Sequence, residues 1–493
     1  MNDNELARKI AELPVETQRL LYEHPALRQL LEELFGLIDE LQREVKRLQD
    51  LLKLNSHNSS KPPSSDQPRV KREVVNLRNS TGRKPGGQMG HPGTTLQAVS
   101  NPDNVVRHKV NVCSHCGEDL SSVEATDVEK RQEFDIPPIK FVVTEHQAEV
   151  KVCPECHAQS KGDFPEGITQ PVQYAERPKS LAVYLNQYQL IPYKRVTEIF
   201  EDVLGGSISQ GTLLNALETS YNNLASTEER IKVDILNSPT VHFDDTGLYR
   251  GGQRIWLHTA STEEHTYYFP HERRGREALD AAGILPEYKG VAVHDHFEPY
   301  NSYEDCSHAF CNVHHLRELT RAYEQDGVDW AKEMADLLME IKGVVDEAKD
   351  SGKQALEPSL VNFYHQRYQG ILSEALKGYP PNGDVGEGRR RGRKKQSKDK
   401  NLLDRLIKYK AGTLRFMEDF QVPFDNNLVE RDQRMVKVKQ KISGCFRSEN
   451  GADYFCRIRG FISTVKKQEK DVLEHLRKTF QPANGRDLLL SEG

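Results

Sequence analysis

Acidic residues stand at three places where carboxylate chemistry would need them. Asp244 and Asp245 follow Val241-His-Phe and precede Thr246-Gly247, and Asp295 follows Val291-Ala-Val-His294. Both runs have the short, β-branched character of buried strands, which puts these acids at strand ends. If the two strands are neighbours in one sheet, the carboxylates come within a few ångströms of each other. Bare, they repel; with Mg2+ between them they form a site. Glu430 is the third candidate, in Pro423-Phe-Asp-Asn-Asn-Leu-Val-Glu-Arg-Asp-Gln-Arg434. Asp425 or Asn426 is suited to cap a helix there, with Glu430 in its first turns and Arg434 and Lys437 following at i+4 and i+7 on the same face. Hard oxygen ligands beside basic residues fit divalent-metal chemistry on a phosphodiester, one ion activating water or a 3′-hydroxyl and a second stabilising the leaving oxygen. Taken singly, each acid is equally an ordinary strand-end or capping carboxylate.

A second chemistry is written in cysteine. Cys113-Ser-His-Cys116 and Cys153-Pro-Glu-Cys156 are two C-x-x-C turns, each able to present two thiolates to one ion. Together they supply the tetrahedral four-thiolate set that structural Zn2+ prefers, whereas a single pair would serve redox chemistry equally well. The Val- and Ile-rich stretch from Ile139 to Val152 is expected to return as a strand carrying the second turn. Eight cysteines in 493 residues are too few for a disulfide scaffold.

The segments that must position these groups change character along the chain. Leu27, Leu31, Leu34, Ile38, Leu41, Val45, Leu48 and Leu52 recur in alternating steps of four and three after Pro25. That seam fits a parallel dimeric coiled coil, or an amphipathic helix packed on its own domain. Two stretches rich in Ser, Pro and Gly follow, Asn55 to Asp66 and Gly82 to Gly93, and read as linker. The basic excess from Asn55 to Pro92 is +5, which suits either a phosphate-binding arm or a solvated linker. Tyr193 to Leu204 and Ser209 to Leu217 form a helix, a Gly-containing turn and a helix, the outline of a DNA-reading module and also of many ordinary helical hairpins. Strands are expected over Thr240 to Asp244, Arg254 to Ser261, Thr266 to Phe269 and Gly290 to His294, with a helix at Arg276 to Ala282. The last strand is placed to lie parallel beside the first. Helical sequence runs from Leu316 to Leu376, a loop of charge +7 spans Gly388 to Lys400, and helices resume at Leu402.

The net charge of −6 hides this unevenness, because Glu430 to Lys470 carries a further +6. Net acidity therefore does not exclude nucleic acid. No run reaches the ~18 apolar residues of a membrane span, and the N-terminus MNDNELARKI has no apolar signal-peptide run. A cytoplasmic location and no membrane partner are expected.

With these residues in place, the chain resembles the transposases of the insertion sequence 66 family, a group of the DDE class. The resemblance runs through Leu54-Asn-Ser-His-Asn-Ser-Ser-Lys-Pro-Pro-Ser-Ser-Asp66, the arm Arg83-Lys-Pro-Gly-Gly-Gln-Met-Gly-His91 and the two cysteine turns. It continues through Tyr193-Lys-Arg-Val, Asp244-Asp-Thr-Gly247, Trp256-Leu-His258, Val293-His-Asp295 and Cys311-Asn-Val-His-His-Leu-Arg-Glu-Leu319. It closes on Asp425-Asn-Asn-Leu-Val-Glu430 and Lys441-Ile-Ser-Gly-Cys-Phe-Arg447. The family implies a multidomain α/β protein with an RNase H-like catalytic domain over 237–318 and 421–478, interrupted by a helical insertion at 319–420. Before it come a helical, coiled-coil segment (1–54), a basic linker (55–95), a zinc-binding domain (96–165) and a helix-turn-helix-like DNA-binding region (166–236), and 479–493 is a tail.

By matching motifs, Asp244, Asp295 and Glu430 become a triad for two Mg2+ (or Mn2+) ions, and Cys113, Cys116, Cys153 and Cys156 hold Zn2+. Arg83, Lys84, Arg434, Lys437, Lys441 and Arg447 are the expected DNA contacts. The family usually has Glu after the first catalytic Asp; here Asp245 stands in its place, leaving Asp244 or Asp245 as the ligand. Cys311 and His314 match a C-x-x-H signature seen in related transposases, and a second zinc on His308, Cys311 and His314 would lack an obvious fourth ligand. The implied activity is metal-dependent cleavage at transposon ends and strand transfer into target DNA by a homo-oligomer, at least a dimer, in the nucleoid. The rivals are a non-catalytic sequence-specific DNA-binding regulator, an RNase H-like structure-specific nuclease, and a zinc and coiled-coil scaffold that leaves the final basic block unexplained.

Overall fold

The computed structural model describes residues 14–52, 96–379, 396–481 and 488–489. The linker with Arg83 and Lys84, and 389–395 of the basic loop, lie outside the described residues. The chain divides into two compact units, one from residues 1–74, 170–192 and 211–493, the other from 75–169 and 193–210. Among the described residues no helix is long and apolar enough to cross a membrane.

Helices α1 (Val15–Glu23) and α2 (Pro25–Leu52) open the chain. Proline suits the start of α2, since its missing N–H falls where no intrahelical acceptor exists. The heptad residues Leu27, Leu34, Ile38, Leu41, Val45 and Leu48 stay about half exposed along α2. In the smaller unit, β1 (Val150–Val152) pairs antiparallel with β2 (Gln159–Lys161) around the second cysteine turn. The strand expected from Ile139 is thus three residues long. Most of 96–149 runs without regular structure and leaves Val142 and Val143 exposed, so no partner strand exists there to extend the ladder.

Helices α3 (Glu176–Val183), α4 (Tyr193–Asp202), α5 (Gln210–Asn223) and α6 (Ala225–Leu236) follow. The pair expected as one hairpin, α4 and α5, falls in different units. The larger unit then builds β3 (Thr240–Arg250), β4 (Gln253–Ser261), β5 (Thr266–His271), α7 (Arg276–Ala282), β6 (Val291–His294) and β7 (Ser307–Phe310). They make one five-stranded sheet in the order β5-β4-β3-β6-β7. The first three strands are an antiparallel meander, and β6 lies parallel beside β3, with β7 parallel beyond it.

One expectation about β3 needs correction. The strand does not turn at Thr246-Gly247 but runs on to Arg250, and the reversal falls at Gly251-Gly252, both at positive φ. Leu248 is fully buried against β4 and the helices above it, so the alternation of the strand continues past the acids. Asp244 and Asp245 therefore sit in mid-strand, just beyond the point where pairing with β6 stops at His242.

Five helices, α8 (Asn312–Asp326), α9 (Asp329–Asp350), α10 (Pro358–Lys377), α11 (Lys398–Lys408) and α12 (Lys410–Glu418), intervene before the chain returns as α13 (Asn427–Ser443), α14 (Gly451–Lys467) and α15 (Val472–Lys478). The end of the insertion comes back to the sheet: Arg415 Nε donates to the His308 carbonyl at 3.0 Å. Asn312 Nδ2 donates to the Thr413 carbonyl at 3.0 Å. One sheet face is closed by α13 and α14, where Leu248, Ile255, Leu257 and Tyr268 pack with Val436, Phe446, Phe455 and Cys456. The opposite face is closed by α7 and the segment to Tyr300, with Phe243 against the rings of Tyr288 and Tyr300.

Candidate active site and cysteine turns

Successive side chains on a strand leave opposite faces of the sheet, so the two adjacent acids of β3 have different surroundings. Asp244 shares its face with His242 and Leu248, the side covered by α13. His242 Nδ1 lies 2.8 Å from Asn426 Oδ1, and Asn426 Nδ2 donates to the Phe243 carbonyl at 2.9 Å. These bonds fix the start of α13 to β3, while Asp425 Oδ1 accepts the Asn427 N–H at 2.9 Å. Glu430, in the first turn of α13, is brought over the strand in this way.

Asp244 is pushed up to about 8, first by burial and then by the charges of Asp295, Asp245 and Glu430. Its Oδ1 accepts the Asp245 N–H at 2.8 Å. Asp295, one residue past β6, is held by the Phe297 N–H at 2.9 Å. Half-buried Asp295, at the end of β6, and Glu430, on α13, thus lie within electrostatic reach of the desolvated Asp244 carboxylate on β3, although among the described residues the oxygens of these three acids do not close to within 4.8 Å of one another. Such a set binds protons or a multivalent cation, and its all-oxygen character fits Mg2+ or Mn2+.

Asp245 points the other way. Its fully buried carboxylate accepts Arg274 Nε at 2.7 Å. Burial raises its pKa and Arg274 opposes the rise. The Arg274 guanidinium lies over the Trp256 ring at 4.8 Å and the Phe297 ring at 4.1 Å, and Arg254 covers Trp256 at 4.3 Å. Asp245 is committed to holding a cation-and-aromatic stack beside the acids. Sequence reading overlooked Arg274; its only signal is an Arg-Arg-Gly sequence after a strand.

The basic residues separate by environment. Arg434, Lys441 and Arg447 are exposed. Lys437 is half-buried, donates to the Gly247 carbonyl at 2.6 Å, and is held below the ordinary lysine range by burial and Arg254, with Asp244 opposing. Four members of the +6 block are largely interior and cannot serve as an open phosphate surface. Lys467 is paired with Asp432 at 2.7 Å, Arg457 with Glu228 at 2.8 Å, Arg459 donates to the carbonyls of Gln187 and Tyr188, and Lys439 is buried.

Cys311 precedes α8 and is buried, its Sγ accepting the Asn426 N–H at 3.3 Å. Burial, then the Glu430 charge, push its thiol up to about 12. Ligand atoms of Cys311, His314 and Glu430 all lie within 4.8 Å of one another. His308 is not with them; it lies 2.8 Å from His294 Nε2 and 2.9 Å from the Tyr303 carbonyl. The set His308, Cys311 and His314 is therefore corrected: β7 turns His308 toward β6, and Glu430 takes its place.

The two cysteine turns repeat one geometry. Cys113 N–H donates to Glu118 O at 2.8 Å and Gly117 N–H to Cys113 O at 2.9 Å; Cys153 N–H donates to Ala158 O and His157 N–H to Cys153 O, both at 2.9 Å. Gly117 and His157 occupy the matching positive-φ position, unusual for a histidine. Backbone N–H groups of Cys116 and His115 lower the pKa of Cys113, and those of Cys156 and Glu155 that of Cys153. Thiolate-favouring turns fit zinc. Among the described residues the four sulfurs do not gather into one cluster within 4.8 Å.

A family model described as the transposase IS66 family matches residues 172–454, more than half of the chain. The zinc-finger binding domain of transposase IS66 matches residues 111–157, which include all four cysteines of the two turns. A family of unknown function, DUF6444, matches residues 3–97. No curated protein matches the chain.

Proposed function

The chain belongs to the IS66 transposase family, and from that premise we propose that it cleaves DNA at transposon ends and transfers the resulting 3′ ends into target DNA in the cytoplasm. The observation that carries the reading is the Asp244 carboxylate, which desolvation first, and then the charges of Asp295, Asp245 and Glu430, push up to about 8, a strain that a bound cation would relieve. The sheet order, with a three-strand antiparallel meander and two parallel strands beyond its first strand, supports an RNase H-like catalytic domain interrupted by α8 to α12. We assign Asp244, not Asp245, as the ligand from β3, because Asp244 faces Glu430 while Asp245 is taken by Arg274.

Two Mg2+ ions, when bound, would lower the cost of forming the attacking oxyanion and of expelling the leaving one. The residues of the chain supply the rest. Asp244, Asp295 and Glu430 hold the charge that recruits the ions. Arg274, fixed by Asp245 between two rings, presents a cation to a phosphate beside them. Lys437 lies two turns along the same face of α13 from Glu430, and Arg434, Lys441 and Arg447 offer charges to the flanking backbone. The cysteine turns hold structural Zn2+, and the apolar seam of α2 pairs with a second copy as a coiled coil.

The test is cleavage and joining of a labelled transposon end in Mg2+. Joined product from the wild type and none from Glu430→Gln is expected. Cutting without joining would favour the structure-specific nuclease, and end binding without either would favour the regulator.

A further inference from the structure

The geometry points to a second metal site, built from Cys311, His314 and Glu430, that takes a soft divalent cation of the Zn2+ type and shares Glu430 with the Mg2+ acids. Three different ligand types from two helix starts have their donor atoms within 4.8 Å of one another, near enough for a small closing movement of the side chains to place all three on one ion. Cys311 immediately precedes α8 and Glu430 lies in the first turn of α13, so both anionic ligands sit at positive helix ends. The two starts are tied together by the Asn426 N–H on Cys311 Sγ at 3.3 Å, a bond that would persist to a metal-bound thiolate and orient it.

His314 supplies the independent sign. Its Nδ1 is buried without a hydrogen-bond partner, although buried polar atoms are rarely left so. Of the other histidines nearby, His315 bonds Asn312 and His296 and His294 bonds His308, while His296 Nδ1 is likewise unpartnered but its ring stacks on Phe310, away from the Cys311 and Glu430 donors of the cluster. A cation at the cluster would give the His314 ring a partner.

Chemistry separates this site from the neighbouring acids. A thiolate, an imidazole and one carboxylate suit Zn2+, with a fourth position left for water, whereas Mg2+ wants an all-oxygen octahedron. Cys311 would bind as thiolate with its proton released to solvent, so Zn2+ against one thiolate and one carboxylate is charge-neutral. Because Glu430 is common to both sets, a zinc held here draws that carboxylate away from Asp244 and Asp295. This last consequence rests on the proposed triad; the existence of the site does not.

The experiment is a zinc count on the full-length protein after equilibration with Zn2+ and removal of the unbound ion. Two zinc ions per chain are expected in the wild type, one belonging to the cysteine turns. Cys311→Ser, His314→Gln and Glu430→Gln should each hold one, while Asp244→Asn should keep two. Glu430→Gln is isosteric at a half-buried position, so it decides the matter if Cys311→Ser fails to fold. A single zinc in the wild type, two in Glu430→Gln, or one in Asp244→Asn would overturn the proposal. The count needs no DNA: an active protein with one zinc defeats the site and keeps the transposase reading, and an inactive one with two does the reverse.

Discussion

At the scale of single residues, the division of labour between Asp244 and Asp245 comes from strand parity. One position along β3 exchanges the face covered by α13 for the face covered by Arg274 and Tyr300, and with it a cation-binding environment for an ion pair. The consequence is a pH dependence that can be measured without DNA. In the metal-free protein Asp244 keeps its proton up to about 8, while the unfolded chain releases it near the ordinary 3.8. Between those values the folded state binds more protons than the unfolded one, so metal-free stability falls as pH rises through that window. Mg2+ should reverse the fall, because its binding requires the ionised carboxylates. Asp244→Asn removes the titrating group and should raise the Tm of the Mg2+-free protein at pH 8 by ~5 °C while abolishing cleavage. Thermal melts at pH 5 and pH 8, with and without Mg2+, check this; a wild type whose Tm does not respond to pH in that range would contradict it.

At the scale of elements, the helical insertion is what closes the far edge of the sheet, and the contact is tight. A Cβ on Gly412 of α12 would lie 2.6 Å from the Phe310 ring of β7 and 3.0 Å from the His308 carbonyl. Gly412→Ala should therefore cost about 1–3 kcal/mol, since a packed interior cannot yield that space without shifting a ring or the backbone. Denaturant unfolding would show it as a lower midpoint at unchanged slope. The same edge shows what could be read in advance. The meander, the parallel return of Val291 to His294 and the helix carrying Glu430 were legible because each is a periodic apolar run with turn residues around it. β7 was not, because Ser307-His-Ala-Phe310 is four residues with one large apolar side chain and becomes a strand only by pairing with β6. The true end of β3 was misread for a related reason: Thr246-Gly247 looks like a turn, yet pairing with β4 overrides it. Arg274 and the Asn426 bonds were beyond reach of local pattern, being contacts 29 residues and more than 180 residues apart along the chain.

At the scale of the whole molecule, charge and exposed apolar surface are distributed as separate functions would require. The interior placement of Lys439, Arg457, Arg459 and Lys467 removes four charges from the C-terminal basic block as a DNA surface. Those four hold α13 and α14 to the sheet and to the helices before it, or are simply buried. The exposed Arg434, Lys441 and Arg447, with Lys437 partly accessible, remain as phosphate contacts. Each phosphate neutralised releases counterions, so affinity for a transposon end should fall steeply with salt, by on the order of 10-fold or more between 50 and 200 mM for a handful of contacts. The seam of α2 adds a second requirement. Leu34, Ile38, Leu41, Val45 and Leu48 present a continuous half-exposed apolar stripe, which in water favours a matching stripe on a second copy. Charged residues at two core positions, Leu34→Glu with Leu41→Glu, should leave the sheet unit folded but shift the protein to monomer in sedimentation. Because two linked binding surfaces gain from effective concentration, that monomer should bind a paired-end substrate at least tenfold more weakly than the wild type. On a single end it should keep near wild-type affinity and the same salt slope. Equal loss on single and paired ends would instead assign α2 to DNA contact itself and remove the coiled coil from the proposal.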